Sequence, residues 1–107
     1  MISDESRYRI LKELEANPEI SQRELARSLG ISLGKVNYCL KALIDKGMVK
    51  AGNFSRSDQK SRYLYQLTPQ GVEHKAKVTA RFLKLKLDEY DALQQEIEEL
   101  RREVGQR

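Results

Sequence analysis

The sequence has few of the residues that form cross-links, metal sites or chain breaks. Its 107 residues include one cysteine, one histidine, two prolines and no tryptophan. A single cysteine excludes a disulfide within the chain, and one cysteine with one histidine cannot complete a structural zinc site. The sequence also lacks the 18-residue apolar run of a membrane span and the apolar region of an export signal. We therefore expect a cytoplasmic protein with no metal, no other cofactor and no membrane partner.

Charged residues are abundant, and their signs are unevenly distributed. They make up 34% of the sequence, and the formal net charge is +4 at pH 7. Residues 30–62 carry seven basic side chains and two acidic ones, and residues 75–86 add five basic side chains without an acid. Residues 88–103 carry seven acids and only two basic side chains. This pattern predicts a body that binds a polyanion and a separate interaction arm.

Helix signals divide the first part of the chain into three helices. Apolar residues at helical spacing predict a first helix over 4–16. A capping-box sequence at Ser21 begins a second helix, which ends at Gly30. Ser32 caps a third helix over 33–46. A short helix, a glycine turn and a second helix are typical of a helix-turn-helix.

A small β-hairpin is predicted after the third helix. Candidate strands lie at 48–51 and 63–67, and the second alternates aromatic or apolar residues as a half-exposed strand does. Between them, residues 52–62 form a polar, net basic tip. The predicted fold class is therefore mainly α with a small β-hairpin, a winged helix-turn-helix followed by a long C-terminal helix.

The long C-terminal helix is predicted to begin at Pro69 and continue to about Val104. Proline is well suited to the first helical position, and about 36 residues give a helix of about 54 Å. This division gives a winged helix-turn-helix domain over 1–68 and a coiled-coil-like dimerisation helix over 69–107. Lys86 interrupts an otherwise apolar heptad seam. The predicted dimerisation residues on or beside this seam are Leu83, Leu87, Tyr90, Leu93, Ile97, Leu100 and Val104.

The outer face of the third helix is polar and almost free of acids. Such a face could be ordinary solvated surface, but the major groove of DNA admits a helix whose first turns carry donors and no acids. Asn37 could pair with adenine or contact a phosphate, and Lys41 is predicted to contact a phosphate. The predicted DNA-binding residues on the helix are Ser32, Gly34, Lys35, Asn37, Tyr38 and Lys41. The predicted β-hairpin is the wing of this fold, and its predicted DNA-binding residues are Arg56, Lys60 and Arg62.

A pattern around the turn carries a resemblance to a known family. It comprises Leu25-Ala26, Leu29-Gly30-Ile31-Ser32 and Lys46-Gly47-Met48-Val49. The pattern resembles the winged helix-turn-helix of MarR-type bacterial transcriptional regulators. Residues 34–43 are similar to a subgroup called MarR family EPS-associated regulators, which its name ties to exopolysaccharide genes. The resemblance implies a homodimer that binds a pseudo-palindromic operator in double-stranded DNA and regulates transcription.

Two features depart from the family pattern. MarR-type wings usually carry an Asp with an Arg two residues later, whereas Asp58 is followed by Gln59 and Lys60. Lys60, Arg62 or Arg56 is then the residue that replaces the wing arginine. Larger members enclose a ligand pocket with an extra N-terminal helix and a C-terminal helix pair. Since this chain shows neither, we expect no small-molecule effector.

The sequence offers little support for functions other than DNA binding. His74 has no apparent nucleophilic partner and no phosphate loop occurs, so we expect no enzyme activity. The alternative function is a winged-helix adaptor that binds proteins without direct DNA binding. Cys39 is predicted to be a buried core thiol rather than a redox sensor, and His74 to be exposed.

The sequence is compatible with two packings of the C-terminal helices. In a parallel pair, Glu96 could reach the partner's Arg101. In an antiparallel pair, the basic segment 75–86 would lie along the acidic segment 88–103. The charge distribution slightly favours antiparallel or crossed packing.

Overall fold

The computed structural model of the protein describes residues 2–54 and 62–105. Three short helices are followed along the chain by a two-stranded antiparallel sheet and then by one long helix, so the predicted fold class is confirmed. The elements in chain order are α1 (Asp4–Ala16), α2 (Gln22–Leu29), α3 (Leu33–Asp45), β1 (Val49–Phe54), β2 (Arg62–Leu67) and α4 (Pro69–Val104).

Side-chain caps explain why the helices begin where they do. The hydroxyls of Ser3, Ser21, Ser32 and Thr68 each accept a hydrogen bond from a backbone N–H in the first turn of the following helix. Each such cap contributes about 1 kcal/mol to helix stability. At the end of α2, Gly30 adopts the left-handed conformation with φ 68°, as predicted, and this conformation directs the chain into α3.

The core lies between the first three helices and the hairpin. Ile10, Leu11 and Leu14 of α1 are fully buried. They pack in one cluster with residues of α2, α3 and both strands, which are Leu25, Ala26, Val36, Cys39, Leu40, Leu43, Val49 and Tyr65. Among the residues whose burial the structure describes, 2–52 and 64–105, no polar or charged side chain is buried. The predicted burial of Cys39 is confirmed, and the core sets α3 with its opposite side outward.

The hairpin is longer than predicted. Its register pairs Val49 with Leu67 at the base and Phe54 with Arg62 at the far end. Residues 52–54 and 62, assigned from the sequence to the polar tip, therefore belong to the strands. The backbone ladder continues where the apolar alternation has ended, because its hydrogen bonds do not depend on side-chain polarity. Similarly, α3 ends at Asp45 and not at position 46, where Lys46 is the C-cap.

The long helix α4 packs on α1 only through its first part. Gly71 and Val78 are its two buried residues, and all residues from Leu83 to Gly105 are exposed. The molecule is accordingly elongated, with principal extents of 68 × 26 × 23 Å. Among the helices described, none is both long enough and apolar enough to cross a membrane.

Candidate nucleic-acid interface

The six residues predicted on the outer face of α3 share one side of the domain. Val36, Leu40 and Leu43 face the core, and the predicted residues lie on the other side of the helix. Tyr38 is 55% exposed, and Asn37 is half-buried. The remaining predicted residues, Ser32, Gly34, Lys35 and Lys41, are exposed. The structure thus brings the helix residues of the predicted site together on an open surface.

The N-terminal end of α3 is suited to an anion. The Ser32 hydroxyl accepts a hydrogen bond of 3.0 Å from the backbone N–H of Lys35. The first turn contains no acidic residue, so the partial positive charge of the helix N-terminus is not offset there. Helix N-termini with this character bind phosphate groups. Lys35 adds a full positive charge at the same end.

Gly34 has no steric reason within the chain to be glycine. A methyl group placed there would meet no atom within 4 Å. The backbone of α3 is therefore open to a close approach by another molecule at this point. A side chain would occupy that space, which fits the predicted role of Gly34 in bringing the helix near DNA.

A hydrogen-bonded chain of side chains holds Asn37 in place. Its amide nitrogen Nδ2 donates to Oε1 of Gln22 over 3.3 Å, and Nε2 of Gln22 donates to the Tyr65 hydroxyl over 3.0 Å. The chain connects α3 with the start of α2 and with strand β2. Sequence reasoning missed Gln22, because a polar residue at the first position of a helix carries no distinctive signal.

Of the three predicted wing residues, the structure describes only the backbone of Arg62. Arg56 and Lys60 lie outside the described residues. For Arg62 the structure gives the backbone position alone, opposite Phe54 at the far end of the hairpin. Contact of these three side chains with DNA therefore stays a prediction.

A cavity of about 340 Å³ lies where α1, α3 and α4 meet. Leu43 and Met48 supply apolar lining, and Arg7 and Lys46 supply positive charge. Tyr38 also lines the cavity, so the cavity adjoins the outer face of α3. The other lining residues are Ile2, Ala42 and His74.

His74 is half-buried, so the prediction that it is exposed is wrong. The helix α4 turns this side chain toward α1 and α3, which the sequence pattern alone does not reveal. Burial lowers the pKa of His74, and the positive charges of Arg7, Arg81 and Lys46 lower it further against the opposing effect of Asp4. Burial also favours the neutral form of Cys39, and for a thiol this means a raised pKa. The thiol therefore stays protonated and unreactive.

Known proteins resemble this chain in sequence profile and in fold. Residues 3–50 match a family described as "Winged helix-turn-helix DNA-binding". No curated protein matches the chain in sequence. A PadR-like transcriptional regulator from Bacillus cereus has a TM-score of 0.73 at 18% identity, over 82% of this chain and 90% of that one.

Two further solved structures are similar over more of this chain. The PcaV transcriptional regulator from Streptomyces coelicolor, solved with its natural ligand, has a TM-score of 0.68 at 21% identity, over 92% of this chain and 72% of that one. A MarR family protein from Mycobacterium tuberculosis, solved with p-aminosalicylic acid, has a TM-score of 0.59 at 23% identity, over 92% and 76%.

The first two of these similar proteins are named as transcriptional regulators, which is the function class predicted from the sequence. The profile match falls on α1, α2, α3 and the start of β1, where the candidate interface lies. Residues 3–50 therefore have the sequence profile of a winged helix-turn-helix DNA-binding family, and the chain shares the fold of these solved regulators, one of which is a MarR family protein.

Proposed function

We propose that the protein is a homodimeric transcriptional regulator that binds a pseudo-palindromic site in double-stranded DNA. The observation that carries this proposal is the open, acid-free N-terminal face of α3 within a winged helix-turn-helix domain. Each α3 lies in a major groove, and the two copies are about one DNA turn apart, about 34 Å. Lysine and arginine contacts release counterions, so affinity falls steeply as salt rises.

Individual residues take different parts in this complex. Lys35 and Lys41 contact phosphates, which positions the helix without reading the sequence. Asn37 reads a base edge, for which adenine is the natural partner of a carboxamide. Ser32, Gly34 and Tyr38 complete the contact face. Arg56, Lys60 and Arg62 contact the flanking backbone or minor groove.

The exposed part of α4 supports the homodimer. From Leu83 to Val104 its large apolar side chains are 40–74% exposed, although they recur at heptad spacing. A helix with such a stripe is not stable in water on its own and needs a partner surface. The predicted dimerisation residues supply that surface, and a second copy of the chain offers the same stripe.

Residues 34–43 support a proposal about which genes the protein regulates. They lie on α3 and are similar to the EPS-associated subgroup, so we include control of exopolysaccharide genes in the proposal. Enrichment of genomic fragments by the protein tests this assignment separately. Fragments upstream of polysaccharide genes are the expected result, and enrichment confined to unrelated promoters contradicts it.

The decisive experiment selects bound sequences from a pool of random DNA duplexes and then compares variants on the selected site. The double variant Lys35→Ala with Asn37→Ala should bind at least about tenfold more weakly, since base and phosphate contacts are lost in both subunits. Its matched control is Lys84→Ala with Gln95→Ala, which removes the same groups from the exposed side of α4. Equal affinities of the two variants would show that α3 does not read the DNA.

The selection also separates the proposal from the adaptor alternative. If the wild-type chain enriches no duplex at moderate salt and captures protein partners instead, the adaptor function is correct. Enrichment of a two-fold symmetric sequence supports the regulator.

The cavity between α1, α3 and α4 favours a second candidate function, regulation by a small organic anion. Its volume of about 340 Å³ lies at the small end of the range for ligand sites, and Arg7 and Lys46 would attract a carboxylate. Since Tyr38 lines both the cavity and the DNA face, occupancy would alter DNA binding. This candidate runs against the expectation from the sequence that there is no effector.

Calorimetry with p-aminosalicylic acid tests the second candidate. Binding should occur in the wild type, should weaken in Lys46→Ala and should persist in the surface control Lys50→Ala. Absence of binding, together with unchanged DNA affinity at millimolar ligand, would leave the cavity without this role.

A further inference from the structure

We infer that the partner of the α4 stripe is a second copy of the chain lying parallel to it, with both DNA-binding domains at the same end. The inference rests on the proposed homodimer and specifies how its two helices are oriented. Three observations carry it, and they concern the residues within the seam, the residues flanking it and the basic segment near α1.

The seam residues fit a parallel two-stranded coil. In the C-terminal part of the seam, Ile97 and Val104 occupy a positions, and Leu93 and Leu100 occupy d positions. In parallel coiled coils, β-branched residues at a with leucine at d favour two strands over three or four. All four side chains are 40–74% exposed in the single chain, so they are available to pair with their counterparts.

The flanking residues distinguish the two orientations by charge. In a parallel pair each g position faces the e position of the following heptad in the partner. This places Glu96 against the partner's Arg101 and Glu89 against the partner's Gln94, and neither contact opposes like charges. The remaining contact, between Phe82 and the partner's Leu87, is apolar.

An antiparallel pair brings g positions against g positions. Three of the g positions are glutamates, namely Glu89, Glu96 and Glu103. Every antiparallel register that places a residues opposite d residues over at least one heptad of the seam 83–104 then sets at least one glutamate against another. Like charges that face each other across helices destabilise the pair, so the flanking residues favour the parallel orientation.

The basic segment 75–86 offers little to an antiparallel partner, because most of its charges are already paired within the chain. Lys75 bonds to Glu15 at 2.8 Å, and Arg81 bonds to Asp4 at 2.9 Å, both on α1. Lys84 and Lys86 pair with acids within α4 at 3.5 and 3.2 Å. The sequence favoured antiparallel packing because the basic segment 75–86 would attract the partner's acidic segment 88–103. Most of these basic side chains instead form ion pairs within their own chain.

Lys86 is the one charged residue in the seam, and its contacts direct it away from the helix interface. Its ammonium lies 3.2 Å from Glu89 and 5.2 Å from the centre of the Phe82 ring. A lysine can keep its charge in water in this way while its stem lies along apolar neighbours. The two Lys86 residues of a parallel pair are therefore compatible with the seam.

Disulfide trapping tests the orientation in a Cys39→Ala background. In a parallel pair Leu100→Cys should cross-link to its own counterpart in the partner, because facing d positions lie within disulfide reach. In an antiparallel pair with Leu83 opposite Leu100, the two Leu100→Cys thiols would be about 25 Å apart. If a Leu83→Cys chain that carries a size tag is mixed with a Leu100→Cys chain, a disulfide between the two different chains would form only in that antiparallel pair.

Charge reversal provides a second readout on the full chain. Glu96→Arg should raise the dimer dissociation constant about threefold to tenfold by breaking two exposed pairs and opposing like charges, and adding Arg101→Glu should restore it. The control Glu99→Arg makes the same charge change at an outer position. In the antiparallel pair with Leu83 opposite Leu100, the arginine of Glu96→Arg would face the partner's Glu89 and would instead strengthen the dimer.

The outcomes separate this inference from the proposed homodimer. Self-cross-linking of Leu100→Cys supports the parallel orientation. A dimer that gives only the mixed Leu83–Leu100 cross-link overturns the orientation and leaves the homodimer standing. A wild-type chain that sediments as a monomer at high concentration, without DNA or with it, overturns both.

Discussion

Gly34 is the residue at which stability and binding can be separated most clearly. Since a methyl group there would meet nothing within 4 Å, Gly34→Ala should fold normally and gain up to about 1 kcal/mol in free energy of unfolding. If the helix backbone approaches DNA closely, the same change should weaken DNA binding about tenfold through steric conflict. Denaturant unfolding and titration of the selected duplex measure the two effects on one sample.

The control for this prediction is Gly52→Ala, where an added methyl group also meets no atom within 4 Å but the residue lies in β1. An alanine at position 34 that raises stability and leaves DNA affinity unchanged would remove Gly34 from the interface.

At the residue scale, sequence reasoning identified the polar face of α3 but not what holds it. Lys35 and Lys41 could be predicted because the helical period fixes which side of α3 faces outward. Gln22 and the burial of His74 could not, because each depends on contact between elements far apart in the sequence. The hydrogen bond from Gln22 to Tyr65, for example, spans 43 positions.

At the scale of elements, Gln22 connects α2, α3 and β2 through its two hydrogen bonds. We expect Gln22→Ala to lower DNA affinity about threefold to tenfold, because Asn37 loses a partner that orients it and one hydrogen bond is worth about 1 kcal/mol. The matched control is Gln66→Ala, an exposed carboxamide on β2 next to Tyr65. Competition between the selected duplex and one with a changed base pair measures both affinity and specificity.

A loss of affinity without loss of discrimination would indicate that Asn37 contacts a phosphate. No loss at all, in a variant as stable as the control, would show that the hydrogen-bonded chain does not position Asn37 for binding.

The boundaries of elements were predictable where local signals set them. The limits of α1 and α4 agree with the predicted ones because Ser3, Thr68 and Pro69 act within one helical turn. The length of the hairpin could not be predicted from local signals, since its ladder of hydrogen bonds pairs residues of two separate strands. The contact of α4 with α1 was equally hidden, because the bond between Asp4 and Arg81 joins positions 77 residues apart.

At the scale of the whole molecule, the half-buried His74 makes stability depend on pH. Its pKa is lowered in the folded chain, so as pH falls the unfolded chain takes up the proton first, near its ordinary pKa of about 6.5. The stability contributed by neutral His74 is therefore complete above that pH and is lost as pH falls through the folded pKa. We expect His74→Gln to show a flatter decline in free energy of unfolding between pH 7.5 and 5.5.

The measurement is urea unfolding of both proteins at several pH values and one protein concentration. Asp4, whose pKa is lowered mainly by its hydrogen bond with Arg81, affects stability only at more acidic pH and does not confound the comparison. Parallel curves for the wild type and His74→Gln would show that another group causes the decline.

The joint between the DNA-binding domain and α4 is closely packed. Gly71 lies so near the Met48 carbonyl that any side chain would collide with it, the Thr68 hydroxyl donates to the Gly47 carbonyl at 2.6 Å, and Asp4 binds Arg81 through both oxygens. A linkage of this kind cannot swivel to follow a target whose two halves have been rotated around the double helix. Inserting half a helical turn, about five base pairs, between the half-sites should therefore abolish simultaneous engagement of both, whereas inserting a full turn keeps them in phase and only stretches the span.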